Sequence, residues 1–207
     1  MAFPCNTYDG KLIVIEGIDG AGLSTQTAAV KEALEHEGYR VCKTKEPTDG
    51  PAGAVIRLAL THRISLTAHS FALLFAADRM DHLHNEIVPE LEKGTTVICD
   101  RYFFSNMAYQ GTELDRAWIK ELNRDCLLPD ATFFLDVDPF VSEDRRSVRH
   151  RTEYFEKRET LARIRKEFID VFEEFETRHG ARIRTIRGDK AIMDVTREIV
   201  KDVTQLL

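Results

Sequence analysis

The sequence is bounded first by what it lacks. No apolar run approaches membrane-spanning length, and Met1–Gly10 has no basic start, apolar core or cleavage pattern. That start reads as a short N-terminal extension with freedom to move, and the chain as one with no membrane partner. Cysteine is scarce: Cys5, Cys42, Cys99 and Cys126 stand far apart and match neither C-x-x-C nor zinc spacing. A disulfide scaffold and a structural zinc are thereby disfavoured, and reduced thiols in a cytoplasmic protein are the simplest reading. Positive charge is also in deficit, with a formal net charge of -6. Such a balance gives no broad field for long nucleic acid, although a local basic site remains open, so the partner is expected to be small. Linkers, repeats and low-complexity segments are missing too, and the 207 residues read as one domain able to bury a core without staples. Seven histidines form no ligand cluster, and His82 and His84 read as a wet helix face. The single tryptophan, Trp118, has Leu114 and Leu122 four residues to either side and reads as core or a subunit contact. Neither a Ser-His-Asp arrangement nor a paired-carboxylate hydrolase is suggested.

What is present is a regular alternation. Apolar strand-like runs at Leu12–Glu16, Tyr39–Lys43, Thr95–Cys99, Ala131–Val137 and Ile183–Ile186 are separated by helical patterns. The helices are expected near Leu23–Glu37, Ala52–Ala59, Thr67–Lys93, Asp115–Asn123, Pro139–His150, Glu156–His179 and Ala191–Leu206. The pattern predicts an α/β fold, a five-stranded parallel sheet flanked by helices in three layers. Ligands in such folds bind beyond the carboxyl ends of the strands. That rule gathers Gly17–Ser24, Glu46–Pro51, Asp100–Arg101 and Asp136–Asp138 into one cleft.

Four stretches carry chemistry. In Gly17-Ile18-Asp19-Gly20-Ala21-Gly22-Leu23-Ser24-Thr25 the phosphate-loop pattern G-x-x-x-x-G-K-[ST] is met at Gly17, Gly22 and Ser24, but Leu23 holds the lysine position. A strand before it and a helix after it give backbone N–H groups a common target in a phosphate. The plainer alternative is a ligand-free strand-to-helix turn; Asp19 within the turn and the Ser24 hydroxyl, placed to meet Mg²⁺, favour the phosphate. Asp100-Arg101 emerges at a strand's carboxyl end, where an acid suits Mg²⁺ and an arginine a phosphate. A surface salt bridge is the plainer reading of that pair. Phe75 and Arg79 share a helix face, an arrangement in which a ring can stack on a base while a guanidinium bonds its edge; alone, Phe75 reads as core. Arg145, Arg146, Arg149 and Arg151 form a basic segment, read either as a solvated helix face or as a lid over a polyphosphate, at about 142–157.

Taken together, Lys11 to Gln26, Glu46 to Arg57, Leu73 to Arg79, Asp100 to Gly111 and Pro129 to Pro139 resemble, in order and spacing, the thymidylate kinase family. Asp100-Arg101-Tyr102 followed by Ser105 and Ala108-Tyr109-Gln110-Gly111 is the most specific part. The resemblance implies a P-loop kinase fold, Mg²⁺-dependent transfer of the γ-phosphoryl group of ATP to dTMP, and a cytoplasmic homodimer. It implies that Gly17, Gly20, Ala21, Gly22, Leu23, Ser24 and Thr25 hold the ATP phosphates, supported by Glu16, and that Ser24 and Asp100 lie near the metal. Phe75 is expected to stack on thymine, with Arg79 and Asn106 at its edge, Tyr109 against the ribose 2′ position and Gln110 beside the nucleotide. Arg101 and Arg57 are expected to hold the acceptor phosphate, and Asp19 to orient it or its metal. The loop supplies no catalytic arginine, so the resemblance implies the type that places it in the lid, at Arg145, Arg146, Arg149 or Arg151. Three departures stand out: Leu23 for lysine, Lys45 for arginine in Thr-Arg-Glu-Pro, and His69 near a usual glutamate. An enzyme slowed by the missing lysine is the main expectation. A kinase for another nucleoside monophosphate and a catalytically silent nucleotide-binding paralogue are the alternatives.

Overall fold

The computed structural model describes residues 3–139 and 158–207. Five strands, β1 (Leu12–Glu16), β2 (Val41–Lys45), β3 (Thr96–Asp100), β4 (Ala131–Asp136) and β5 (Ile183–Arg187), form one parallel sheet in the order β2-β3-β1-β4-β5. The register pairs Ile15 with Asp100 and with Phe133, and Lys45 with Asp100. β1 and β3 are buried along their whole length, which is why they read as unbroken apolar runs rather than alternating ones. Alternate side chains feed two cores. Leu12, Val14, Val97, Cys99 and Phe134 face one, and Ile13, Ile15, Ile98, Phe133 and Leu135 face the other.

The helices are α1 (Leu23–His36), α2 (Pro51–Leu60), α3 (Ala68–His82), α4 (Val88–Glu92), α5 (Phe103–Gln110), α6 (Arg116–Leu122), α7 (Arg158–His179) and α8 (Ile192–Val203). Residues of α1 and α8 pack on one face of the sheet; those of α2, α3, α5 and α7 pack on the other. Phe104, Phe134, Phe168 and Phe172 interlock where α7 meets α5 and β4. No helix among the described residues is long and apolar enough to cross a membrane.

The sheet and its flanking helices match the expectation, with several differences of detail. β2 begins two residues later because Tyr39 closes α1 instead: its N–H donates to the Leu34 carbonyl at 3.1 Å, after a left-handed Gly38 at φ 93°. The expected helix Thr67–Lys93 is interrupted at Leu83–Ile87 by a wider π turn, followed at once by Pro89 in α4. A proline lacks the N–H and crowds the preceding turn, so an uninterrupted α-helical ladder is not available there. Helix α5 was not among the expected helices; it spans only 8 residues, and its polar side, Ser105, Asn106, Tyr109 and Gln110, lines the cleft instead of facing open solvent. The N-terminal extension is pinned rather than free. Phe3 is buried against Phe103 and Phe175, and Asn6 donates to Asp130 at 2.6 Å. His82 is also not on a wet face: it is buried, with its ring between Thr44 and Glu46. Trp118 is half-buried against His69. The basic segment 142–157 with Arg145, Arg146, Arg149 and Arg151, most of the expected helix Pro139–His150 and the first turn of Glu156–His179 lie outside the described residues.

Candidate active site

The carboxyl ends of β1, β2 and β3 open into a cleft of about 820 Å³. On one side is the glycine loop. Gly20 and Gly22 adopt φ values of 86° and 94°, which L side chains rarely adopt, and a backbone bond from Ala21 N–H to Ile18 O closes the turn. Gly22 caps α1 without any side-chain acceptor, so the helix presents first-turn N–H groups and the positive end of its dipole to the cleft. Leu23, however, is only 5% exposed and belongs to the apolar cluster of Ile13, Leu135, Ile186 and Val195. Its Cδ2 passes so close to Gly17 that a Cβ there would sit 3.1 Å away. The residue at the cation position therefore serves the core beneath the loop.

Opposite the loop, the Ser24 hydroxyl donates to Asp100 Oδ2 at 2.6 Å. Burial pushes the Asp100 carboxyl up from its ordinary value, while Arg101 and the Ser24 bond pull it back. A hydroxyl and a carboxylate converging at the mouth of the cleft are hard oxygen donors, the kind Mg²⁺ takes alongside waters and phosphate oxygens. The donor set fits that ion.

Arg101 sits at the centre in a left-handed conformation, φ 71°. Its guanidinium donates to Asp19 Oδ1 at 2.5 Å, Gly17 O at 2.9 Å and Ser105 Oγ at 3.2 Å, and lies over the Tyr109 ring. The Tyr109 hydroxyl donates to Asp19 at 2.9 Å. Beneath them Glu16 is fully buried and accepts from Tyr102 N–H at 2.9 Å, Ser105 N–H at 3.1 Å and the Ser105 hydroxyl at 2.6 Å. Burial raises its carboxyl to about 7 against the opposing pull of Ser105 and Arg101.

The far wall carries Phe75, Leu60, Arg57, Asn106, Tyr109 and Gln110. Phe75 is half-buried, with its ring edge-on to Phe71. Arg57 donates to the Thr48 and Pro47 carbonyls and pairs with Asp49 at 3.5 Å. Arg79 does not reach the cleft surface. It is 1% exposed, with Nε and Nη2 on Glu46 at 2.8 and 2.7 Å and Nη1 on Asn123. Asn123 then donates to Asn106 at 3.0 Å and Asn106 to Gln110 at 2.8 Å. Arg79 thus stands behind the wall that Asn106 and Gln110 present. Asp136, expected in the cleft, is taken by Arg165 through bonds of 2.5 and 2.7 Å. Glu46, Asn123, Ser105 and Lys190 are cleft or support residues that the sequence reading did not assign. Of these, Glu46, beyond a strand's carboxyl end, and Ser105, within the most family-specific stretch, gave a signal there.

A parallel sheet in this order, with a glycine loop leading from β1 into α1 and a Ser–Asp pair across it, is the architecture of a P-loop kinase. The thymidylate kinase family model matches residues 15–199. The chain is similar to a probable thymidylate kinase of Thermococcus gammatolerans, 42% identical over 95% of this chain and 97% of that one. It is also similar to the thymidylate kinases of Desulfotalea psychrophila (36% identical, 96% of both chains) and Bifidobacterium longum (36%, 96% of this chain and 99% of that one). The chain belongs to the thymidylate kinase family.

The buried Glu16 has a pH consequence. Its carboxyl binds a proton more tightly when folded (about 7, against 4.5), so its contribution to stability is fully present below pH 4.5 and is lost as the pH rises through 7. That shift amounts to roughly 3 kcal/mol. Urea unfolding of the wild type and Glu16→Gln from pH 4.5 to 7.5 is expected to show the wild type losing about that much relative to the variant; a constant gap would refute it. Leu23→Lys is expected to lower stability by about 1.5–3 kcal/mol through loss of apolar burial. Unchanged urea midpoints would show that the Leu23 side chain adds little to the core.

Proposed function

We propose that the chain transfers the γ-phosphoryl group of ATP to dTMP, giving ADP and dTDP. The observation that supports it most is that one cleft joins the glycine loop and Ser24–Asp100 pair to the Phe75, Arg57 and Asn106 wall, with Arg101 and Asp19 between them. In this reading the loop N–H groups hold the donor phosphates, and Ser24 and Asp100 hold Mg²⁺. Mg²⁺ would supply neutralisation of the charge that builds on the transferring phosphoryl group. Arg101 and Arg57 hold the acceptor phosphate, and Asp19 fixes the guanidinium of Arg101 and the hydroxyl of Tyr109. Phe75 stacks on the base, while Arg79, through Asn123, Asn106 and Gln110, stiffens the wall at the base's edge. Tyr109, held by Asp19, closes the space a ribose 2′-hydroxyl needs. The protein's contribution is position and charge, because phosphoryl transfer asks for little covalent help. On sequence grounds the catalytic arginine is sought among Arg145, Arg146, Arg149 and Arg151. The chain is read as one domain, and its free thiols fit a cytoplasmic setting.

ATP consumption measured across a panel of nucleoside monophosphates is expected to give the highest kcat/KM for dTMP. Phe75→Ala is expected to raise the acceptor KM by about tenfold or more, the size of a lost stacking contact, and to leave that for ATP nearly unchanged. Equal effects on both substrates would return Phe75 to the core. The burial of Leu23 favours a second reading, a silent nucleotide-binding paralogue. ATP binding without turnover of any acceptor would support that one and sink the kinase.

A homodimer is proposed through α3, where Leu73 (49% exposed) and Met80 (42%) stand seven residues apart on one side of the helix. Sedimentation is expected to show a dimer that Leu73→Glu/Met80→Glu dissociates. A monomeric wild type would overturn the assignment.

A further inference from the structure

The loop lacks its cation, and the geometry of β2 shows where one stands instead. Val41 packs into the core beneath α1 and α8, and Cys42 into the opposite one. The period of two along a strand then places Lys43 and Lys45 on the α1 side, with Thr44 and Glu46 on the other. The contacts agree, since Thr44 meets the His82 ring at 2.7 Å and Glu46 binds Arg79. Lys45 is paired in register with Asp100, whose carboxylate takes the bond from Ser24 on α1. Lys45, Leu23, Ser24 and Asp100 all line the same cleft. The charge of both lysines also reaches Asp100, working against the upward push that burial gives its carboxyl.

Among the described residues, Lys45 is the cleft cation that remains for the donor side. In the kinase reading Arg101 and Arg57 serve the acceptor phosphate, and Lys190 pairs with Glu198 at 2.6 Å. Among the described residues Lys45 pairs with Asp49, at 3.2 Å, and both side chains are more than half exposed (55% and 78%). An exposed pair of that kind is worth little and exchanges readily, and the four-carbon stem lets the ammonium swing.

We infer that Lys45 supplies to the transferring phosphoryl group the positive charge that Leu23 cannot. The inference rests on the kinase reading. In the transfer, an acceptor phosphate oxygen forms its bond to the γ-phosphorus as the bond from that phosphorus to the bridging oxygen breaks, leaving the electron pair on ADP. Lys45 adds charge and moves no proton.

The test uses the full chain as wild type, Lys45→Met, Lys45→Arg and Lys45→Met/Leu23→Lys. Calorimetry of ATP and of ADP reads the contact with the γ-phosphate apart from turnover. The preference for ATP over ADP is expected to fall about tenfold in Lys45→Met and to survive in Lys45→Arg; kcat is expected to drop about 10²–10³-fold in Lys45→Met, as for other lost donors to transition-state charge. Restoration of kcat by adding Leu23→Lys would support an exchange of roles. A Lys45→Met protein that keeps the ATP preference and changes only the acceptor KM overturns the inference. Wild type that turns over no monophosphate defeats the kinase reading instead, while the ATP-to-ADP ratio still decides the Lys45 contact.

Discussion

One buried carboxylate sets the geometry on which the cleft depends. Glu16 ends β1, the central strand, and its three accepted hydrogen bonds all come from the segment that follows β3. A carboxylate without water is costly to leave unsatisfied, so the joint has one favourable arrangement rather than several. That arrangement fixes where α5 starts, holds Arg101 in a backbone conformation that costs about 1–3 kcal/mol, and aims its guanidinium back at Asp19 in the loop. The glycine loop and the opposite wall are therefore two sides of one rigid corner.

A second polar chain does for that wall what Glu16 does for the loop. Glu46, Arg79, Asn123, Asn106 and Gln110 form a continuous run from the buried end of β2 to the cleft surface. The loop after β2 is tied down in parallel by Thr48, whose N–H and hydroxyl both donate to Asp78 at 2.8 and 2.6 Å. Each member has a partner, which is the condition under which buried polar networks specify a unique structure instead of weakening it. Side chains at the surface of such a wall have few alternative rotamers, and a site that must tell one base from another needs that rigidity.

The strands were the most legible part of the sequence, because a parallel sheet buried on both faces leaves unbroken apolar runs and the glycine loop marks β1 unmistakably. Asp19, Ser24, Asp100 and Arg101 could be gathered by the carboxyl-end rule without knowledge of packing, whereas Asn106 and Tyr109 came from the family resemblance, and Phe75 from its helix face together with that resemblance. Depth was not legible. Periodicity put Phe75 and Arg79 on one helix face but could not show that Phe75 stops at the cleft while Arg79 passes behind it to Glu46, a partner 33 residues away. The same limit made His82 look wet, since its partners Thr44 and Glu46 come from another element. Helix α5 escaped because its 8 residues span barely two turns, too short a stretch for a helical period to establish itself.

Leu23 also bears on how the loop is seated on the scaffold beneath it. Its side chain is part of the platform on which α1 and α8 rest, packed within reach of Gly17 and among Leu135 and Val195. The packing of both helices is therefore felt directly at the loop through this one side chain. The scaffold thus has a foundation stone directly beneath the phosphate loop, where most loops of this pattern would use the position for charge.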